Sequence, residues 1–145
     1  MISLPEGYTL SADKAELQFD RICALIRQTY WAAKRTPETI QKSLGPCLCY
    51  GIYYHGPDGG STQVAFARVL TDYATTFYIC DVIVDEAHRG KGLGKALVDA
   101  IVSDDRISHI YGMLITEDAQ KLYEQFGFQS DPTCFMERVP PERAD

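Results

Sequence analysis

Arg89-Gly90-Lys91-Gly92-Leu93-Gly94 packs three glycines and two cations into six residues. Glycines let the backbone turn tightly and present successive N–H groups with no side chain in the way. The stretch follows an apolar run, Val82-Ile83-Val84, and opens a segment of helical periodicity. A helix starting there adds unpaired amides and the positive end of its dipole. Strand, glycine turn and helix N-terminus together suit a phosphate. A nucleotide P-loop is excluded: Gly94-Lys95 is followed by Ala96, so the magnesium-binding hydroxyl is missing, and Arg89 stands where the first glycine belongs. A dinucleotide fingerprint is excluded by the glycine spacing and by the lack of an acidic residue ending the next strand.

What fits is Arg-x-x-Gly-x-Gly, read as Arg89, Gly92 and Gly94. A second stretch, Ala119 to Phe128, carries Ala119, Tyr123, Gly127 and Phe128. Ala119, Leu122, Tyr123 and Phe126 fall on one helical face, and Gly127 supplies the stop. The two motifs, in this order, resemble the acetyl-coenzyme A loop and the C-terminal signature of the GNAT superfamily of N-acetyltransferases. The resemblance covers roughly residues 76–138.

That resemblance implies acetyl-CoA as cosubstrate. Its pyrophosphate would lie on the loop Arg89, Gly90, Lys91, Gly92, Leu93, Gly94 and Lys95. Its pantetheine arm would pair with the backbone of Val82, Ile83 and Val84, as an added strand does. Tyr123 stands where the family's tyrosine gives a proton to the coenzyme A thiolate; a phenol with pKa about 10 holds that proton at neutral pH. The family often carries Asn three residues before the motif's Ala. This chain has Thr116 there, whose hydroxyl also hydrogen-bonds, with shorter reach.

The residues themselves offer Asp81, just before Val82-Ile83-Val84, as a general base for the amine. His88, beside Arg89, is a second titratable group, and ordered water a third way to take the proton. Acceptor-binding candidates come from the N-terminal half: Trp31 beside Tyr30, Arg35, Tyr50, Arg68 and Asp72. Aromatic rings supply rigid apolar walls, and arginine holds a carboxylate bidentately. Arg35 or Arg68 in the pocket would favour an amino acid-like acceptor; Asp72 would favour a polyamine or amino sugar.

Positioning these groups requires a set of elements that periodicity supplies. Tyr8-Thr9-Leu10-Ser11 reads as a first strand. A helix capped by Ser11 or Asp13 is expected to run to about Ala33, and a second one from Thr36-Pro37 to Leu44. Leu48 to His55 and Gln63 to Leu70 form a hairpin around Gly56-Pro57-Asp58-Gly59-Gly60. Strand Thr75 to Val84 follows. Leu93, Ala96, Leu97, Ala100 and Ile101 stripe the next helix, which Asp104-Asp105 ends. Ile107 to Ile115 contains another strand. Phe128 begins a further one, and Cys134 to Arg138 reads as the last. These elements give a mixed α/β class. The resemblance implies a GNAT-like assembly: a central, mostly antiparallel sheet, splayed strands and flanking helices.

The 145 residues suit one domain, with an acceptor-binding half over about 1–75, an acetyl-CoA half over about 76–138 and a tail over 139–145. A net charge of -6 disfavours nucleic acid as partner. No apolar run is long enough to cross a bilayer, and the N-terminal residues lack the features of a signal peptide. No metal-ligand spacing occurs. Cys23, Cys47, Cys49, Cys80 and Cys134, odd in number and irregularly spaced, read as buried reduced thiols of a cytoplasmic protein. The expectation is an enzyme acting on a small-molecule amine by direct attack in a ternary complex, as monomer or homodimer. Acetylation of a protein lysine or N-terminus, and non-catalytic acyl-CoA sensing, are the alternatives.

Overall fold

In the computed structural model, which describes residues 2–141, five strands form one sheet in chain order. β1 (Tyr8–Ser11), β2 (Leu48–His55), β3 (Ser61–Thr71) and β4 (Thr76–Val84) pair antiparallel, and β5 (Tyr111–Leu114) runs parallel to β4. A parallel pair needs a crossover, and α3 (Leu93–Val102) supplies it. The expected mixed, mostly antiparallel sheet with flanking helices is present.

Two apolar cores form, one on each face. α1 (Phe19–Arg27) and α2 (Pro37–Leu44) bury Ile22, Leu25, Ile26 and Ile40 against Cys49 of β2, Phe66 of β3 and Ile83 of β4. On the opposite face, α3 buries Leu93, Leu97 and Ile101 against Tyr50, Ile52, Ala67 and Phe77, and Tyr123 of α4 (Gln120–Glu124) joins the same cluster. The sheet is thus covered on both sides, with β4 in contact with both cores.

α2 begins as its sequence indicates: Thr36 accepts from the Thr39 amide at 3.2 Å, and Pro37 occupies the first turn, where its missing N–H costs nothing. The long first helix expected from Ser11 or Asp13 to Ala33 is broken at both ends. Asp13 caps only a 3-10 turn, Lys14–Glu16. Gln18 is then held extended, its side chain and backbone tied to Gln63 and Ser61. At the far end Thr29 Oγ1 donates to the Ile26 carbonyl and accepts from the Ala32 amide, so a hydroxyl replaces the helical ladder.

The expected last strand, Cys134 to Arg138, does not form, and Phe128 begins none. Asp131 gathers the Thr133 amide, the Thr133 hydroxyl and the Cys134 thiol into a turn, leaving Phe135 and Met136 exposed. The expectation of five buried thiols holds for Cys23, Cys47 and Cys49; Cys80 is only half-buried and Cys134 is exposed. Tail positions 142–145 lie outside the described residues.

The decisive irregularity is a bulge in β4. Arg68 pairs with Asp81 but Val69 pairs with Ile79, so Cys80 is left without a partner on β3. A bulge adds one residue and reverses the side-chain alternation beyond it. Phe77 and Ile79 therefore face α3, while Ile83, of the same parity, faces α1 and α2. Asp81 goes with Ile83.

Candidate active site

β4 and β5 pair from Thr76↔Tyr111 to Ile79↔Leu114 and then separate. From residue 81 to 84, β4 keeps its ladder to β3 and, among the described residues, has no strand on its other side. An open edge offers backbone N–H and C=O groups to an extended ligand. Val82, Ile83 and Val84 lie on this run.

The chain then enters the glycine loop. The Asp85 amide bonds the Val64 carbonyl at 2.9 Å, and Asp85 caps a 3-10 turn over Glu86–His88. Gly90 and Gly92 both have φ near +78°, a left-handed conformation that favours glycine. A β-carbon at either would meet no atom within 4 Å, so the space above the loop is open. Gly92 is the N-cap of α3 and has no side chain to satisfy the first turn. The ladder starts with Ala96 N–H to the Gly92 carbonyl at 3.0 Å, leaving the amides of Leu93, Gly94 and Lys95 ahead of it. Arg89 folds back, its Nε donating to the Val84 carbonyl at 3.2 Å. Lys91 and Lys95 are exposed beside it. His88, the alternative base, is held by Tyr8, Oη to Nδ1 at 2.7 Å.

Tyr123 sits across the splay. It is 9% exposed, packs edge-on against Phe128, and its phenol makes no hydrogen bond among the described residues. Burial first, then the Asp118 carboxylate and Tyr30, pushes its pKa up to about 12. It therefore keeps its proton at neutral pH. Gly127, with φ +88°, ends the helix as its sequence indicates, the Phe128 amide returning to the Tyr123 carbonyl. Thr116 lies just ahead of α4, its Oγ1 accepting from the amide of Ala119, the helix's N-cap residue, at 3.1 Å.

Three of the acceptor-side candidates, Trp31, Arg35 and Arg68, converge on the candidate base, Asp81. The Asp81 carboxylate is buried and accepts from Trp31 Nε1 at 3.0 Å, Arg35 Nη1 at 3.0 Å and Arg68 Nε at 2.8 Å. Burial pushes the Asp81 pKa up, but Arg68 and Arg35 together override it and hold the carboxyl below its usual range. Arg68 also donates to Cys47 Sγ at 3.6 Å. Tyr50 and Asp72 are not part of this group. Tyr50 lies in the core under α3, on the other face of the sheet, and donates to Asp104 Oδ2 at 2.8 Å. Asp72 is exposed and closes the β3–β4 turn, accepting from the amides of Ala74, Thr75 and Thr76. Its oxygens are occupied locally because a side chain short enough to bond its own turn does so.

Sequence reasoning passed over Gln28 and Asp85. Gln28 Nε2 donates to Asp85 Oδ1 at 3.3 Å, and Gln28 Oε1 accepts from the Glu86 amide at 3.1 Å. Arg21 pairs with the other Asp85 oxygen at 2.8 Å. These ties join α1 to the start of the glycine loop, and no local pattern announces them.

The acetyltransferase (GNAT) domain model matches residues 48–130, which include the β2–β3 hairpin, the splayed strands, the glycine loop and Tyr123. The chain belongs to the GNAT acetyltransferase family. A putative GNAT-family acetyltransferase from Xanthomonas campestris pv. campestris superposes with a TM-score of 0.83 at 36% identity, over 96% of each chain. A curated relative, histone acetyltransferase TAP1 from Glycine max, is 33% identical over 82 residues, 54% of this chain and 36% of its own length. The match thus spans about a third of the length of such curated relatives. A GNAT acetyltransferase from Elizabethkingia anophelis, whose structure has acetyl-CoA bound, shares the fold at TM-score 0.63 and 16% identity, over 88% of this chain and 80% of that one. No helix among the described residues of this GNAT chain is long and apolar enough to cross a membrane.

Proposed function

We propose that this GNAT chain is an acetyl-CoA-dependent N-acetyltransferase that moves an acetyl group to the primary amine of a small molecule by direct attack in a ternary complex. The observation that carries the reading is the junction of two open features: the unpaired edge of β4 and the uncapped, unobstructed N-terminus of α3. The first fits an extended amide-bearing arm, and the second fits its pyrophosphate. Acetyl-CoA bound there would supply the acetyl group as a thioester.

The chain's own groups then have distinct parts. Amides of the α3 first turn, with Arg89, Lys91 and Lys95, hold the phosphates. A backbone amide of Val82, Ile83 or Val84 on the open edge faces the thioester oxygen and favours charge developing there. Tyr123 holds a proton on a phenol with no internal partner among the described residues and gives it to the departing thiolate, while the proton that the attacking amine loses passes to water. Thr116 keeps a hydroxyl proton to offer the cofactor arm while its oxygen accepts from the Ala119 amide.

Acceptor binding falls to the face covered by α1 and α2, where Trp31 and Tyr30 bring aromatic walls to the splay. A protein acceptor is the second reading, because the soybean relative's name assigns it to histones. Thiol release from acetyl-CoA, followed with a library of small amines and with lysine-bearing peptides, tests both. Turnover with small amines supports the first reading, and turnover confined to peptides the second. Ligand-induced stabilisation without turnover leaves an acyl-CoA-binding module.

A further inference from the structure

We propose that Asp81 is a positioning residue, a latch that holds the α1–α2 connection across the splayed end of β4 so that Tyr30 stands toward the approach to α4 and roofs the acceptor amine. The inference rests on the acetyltransferase reading above. It assigns Asp81 a different part from the general base expected from sequence.

The connection, residues 28–35, is tied to β4 at two places. At one end Gln28 bonds Asp85 and the Glu86 amide. At the other, Trp31 and Arg35 bond Asp81. Asp81 and Asp85 are four residues apart, roughly 13 Å along an extended strand. The strap therefore follows the length of β4 that β5 has abandoned.

From this strap Tyr30 reaches the far side of the splay. Its phenol lies by the Glu117 backbone and the Asp118 carboxylate, at the approach to α4. Tyr30 and Trp31 meet edge to face, centroids 5.0 Å apart at 81°. Holding the indole by its N–H thus holds the Tyr30 ring. Tyr30 remains 59% exposed, an aromatic ring left at the mouth of the cleft.

The Asp81 carboxylate is poorly suited to take a proton. Three donors already occupy its oxygens. Two flanking guanidiniums oppose its protonation. The same bonds make it a good anchor, because charge-assisted hydrogen bonds in a buried setting are strong and directional.

The test uses the full chain and the variants Asp81→Asn, Trp31→Phe and Tyr30→Ala. Trp31 is the chain's single tryptophan, so intrinsic fluorescence reads the latch directly. In Asp81→Asn its emission should move to longer wavelength. In all three variants the acceptor KM should rise by about tenfold while kcat falls less, the loss of a charge-assisted bond acting on binding. The pH–rate profile should keep its shape, and stabilisation by acetyl-CoA should be unchanged. A kcat loss in Asp81→Asn that high pH rescues, with KM unchanged, overturns the latch in favour of a base. Unchanged acceptor KM in Trp31→Phe and Tyr30→Ala overturns it also, and these two keep the test alive if Asp81→Asn fails to fold. Absence of thiol release by the parent chain sinks the acetyltransferase reading itself, whereas an active parent with unmoved KM values in the variants sinks only the latch.

Discussion

Arg68 and Asp81 face each other across β3 and β4, Nε to Oδ2 at 2.8 Å, immediately beside the bulge at Cys80. The pair fixes where β4 changes the face it presents. It also marks where β4 loses β5, since the β4–β5 ladder ends at Ile79. Removing the guanidinium leaves a buried carboxylate with one fewer positive partner, and such a loss is strongly destabilising. Arg68→Met should lower stability by about 3 kcal/mol or more, read from urea denaturation. A change within error would show that Arg35 alone suffices.

Gly92→Asp tests the phosphate loop. The open space above Gly92 accepts the side chain, but the left-handed backbone costs the folded state roughly 1–2 kcal/mol. The added charge repels phosphate. We expect a folded variant whose melting temperature no longer rises with acetyl-CoA, while that of the parent rises with the logarithm of ligand concentration. A parent that shows no rise at ligand levels far above micromolar would refute phosphate binding at this loop.

Tyr123→Phe keeps the ring against Phe128 and removes a hydroxyl that has no internal partner among the described residues. Stability should hardly change. The chemical step should slow by roughly 10²–10⁴-fold in a single-turnover assay, with acetyl-CoA affinity preserved. Full activity would reduce Tyr123 to packing.

Tyr50→Phe separates stability from chemistry. It breaks the bond to Asp104 on the α3 face, away from the splay. A loss of about 1–2 kcal/mol by urea denaturation is expected, with acceptor and acetyl-CoA kinetics unchanged. Altered acceptor KM would return Tyr50 to the pocket.

Acid should destabilise the fold through three carboxylates. In Asp81 and Asp85 burial raises the pKa, but Arg68 and Arg35 for the first, and Gln28, the Ala87 amide and Arg21 for the second, hold it below the usual range. Hydrogen bonding from Arg106 holds Asp104 down to about 2 against the opposing effect of burial. A depressed folded pKa gives stability that is complete above the ordinary carboxylate value of about 4 and lost as pH falls through the folded one. The urea midpoint should hold from neutral pH to about 5 and then decline toward pH 2. An Asp104→Asn variant should show a shallower decline.

Elements governed by neighbours in sequence were legible from the residues alone. β1 and β2 have the expected ends, α2 starts at its Thr36 cap and Pro37, and Gly90, Gly92 and Gly127 take the conformations that only glycine adopts easily. The loop of Arg89, Gly92 and Gly94 and the Ala119–Phe128 stretch together pointed to the family, because each holds its pattern within ten residues. The extent of the first helix was not legible, since Gln18 is pulled out by Gln63, 45 positions away. Nor was the last strand, because a strand exists only when a partner accepts its ladder.

The partners of Asp81 were decided wholly in three dimensions. Counting alternate residues from Phe77 puts Asp81 on the α3 face; the bulge at Cys80 puts it on the other. Only there does it meet Trp31 and Arg35, which lie 50 and 46 positions earlier. The same alternation, undisturbed in β2, sends Tyr50 to the opposite face from Cys49. Local sequence sets turns, caps and periodicity, because those depend on bonds a few residues apart. Register between strands is a contact between distant segments, and it determines which side chains share a site.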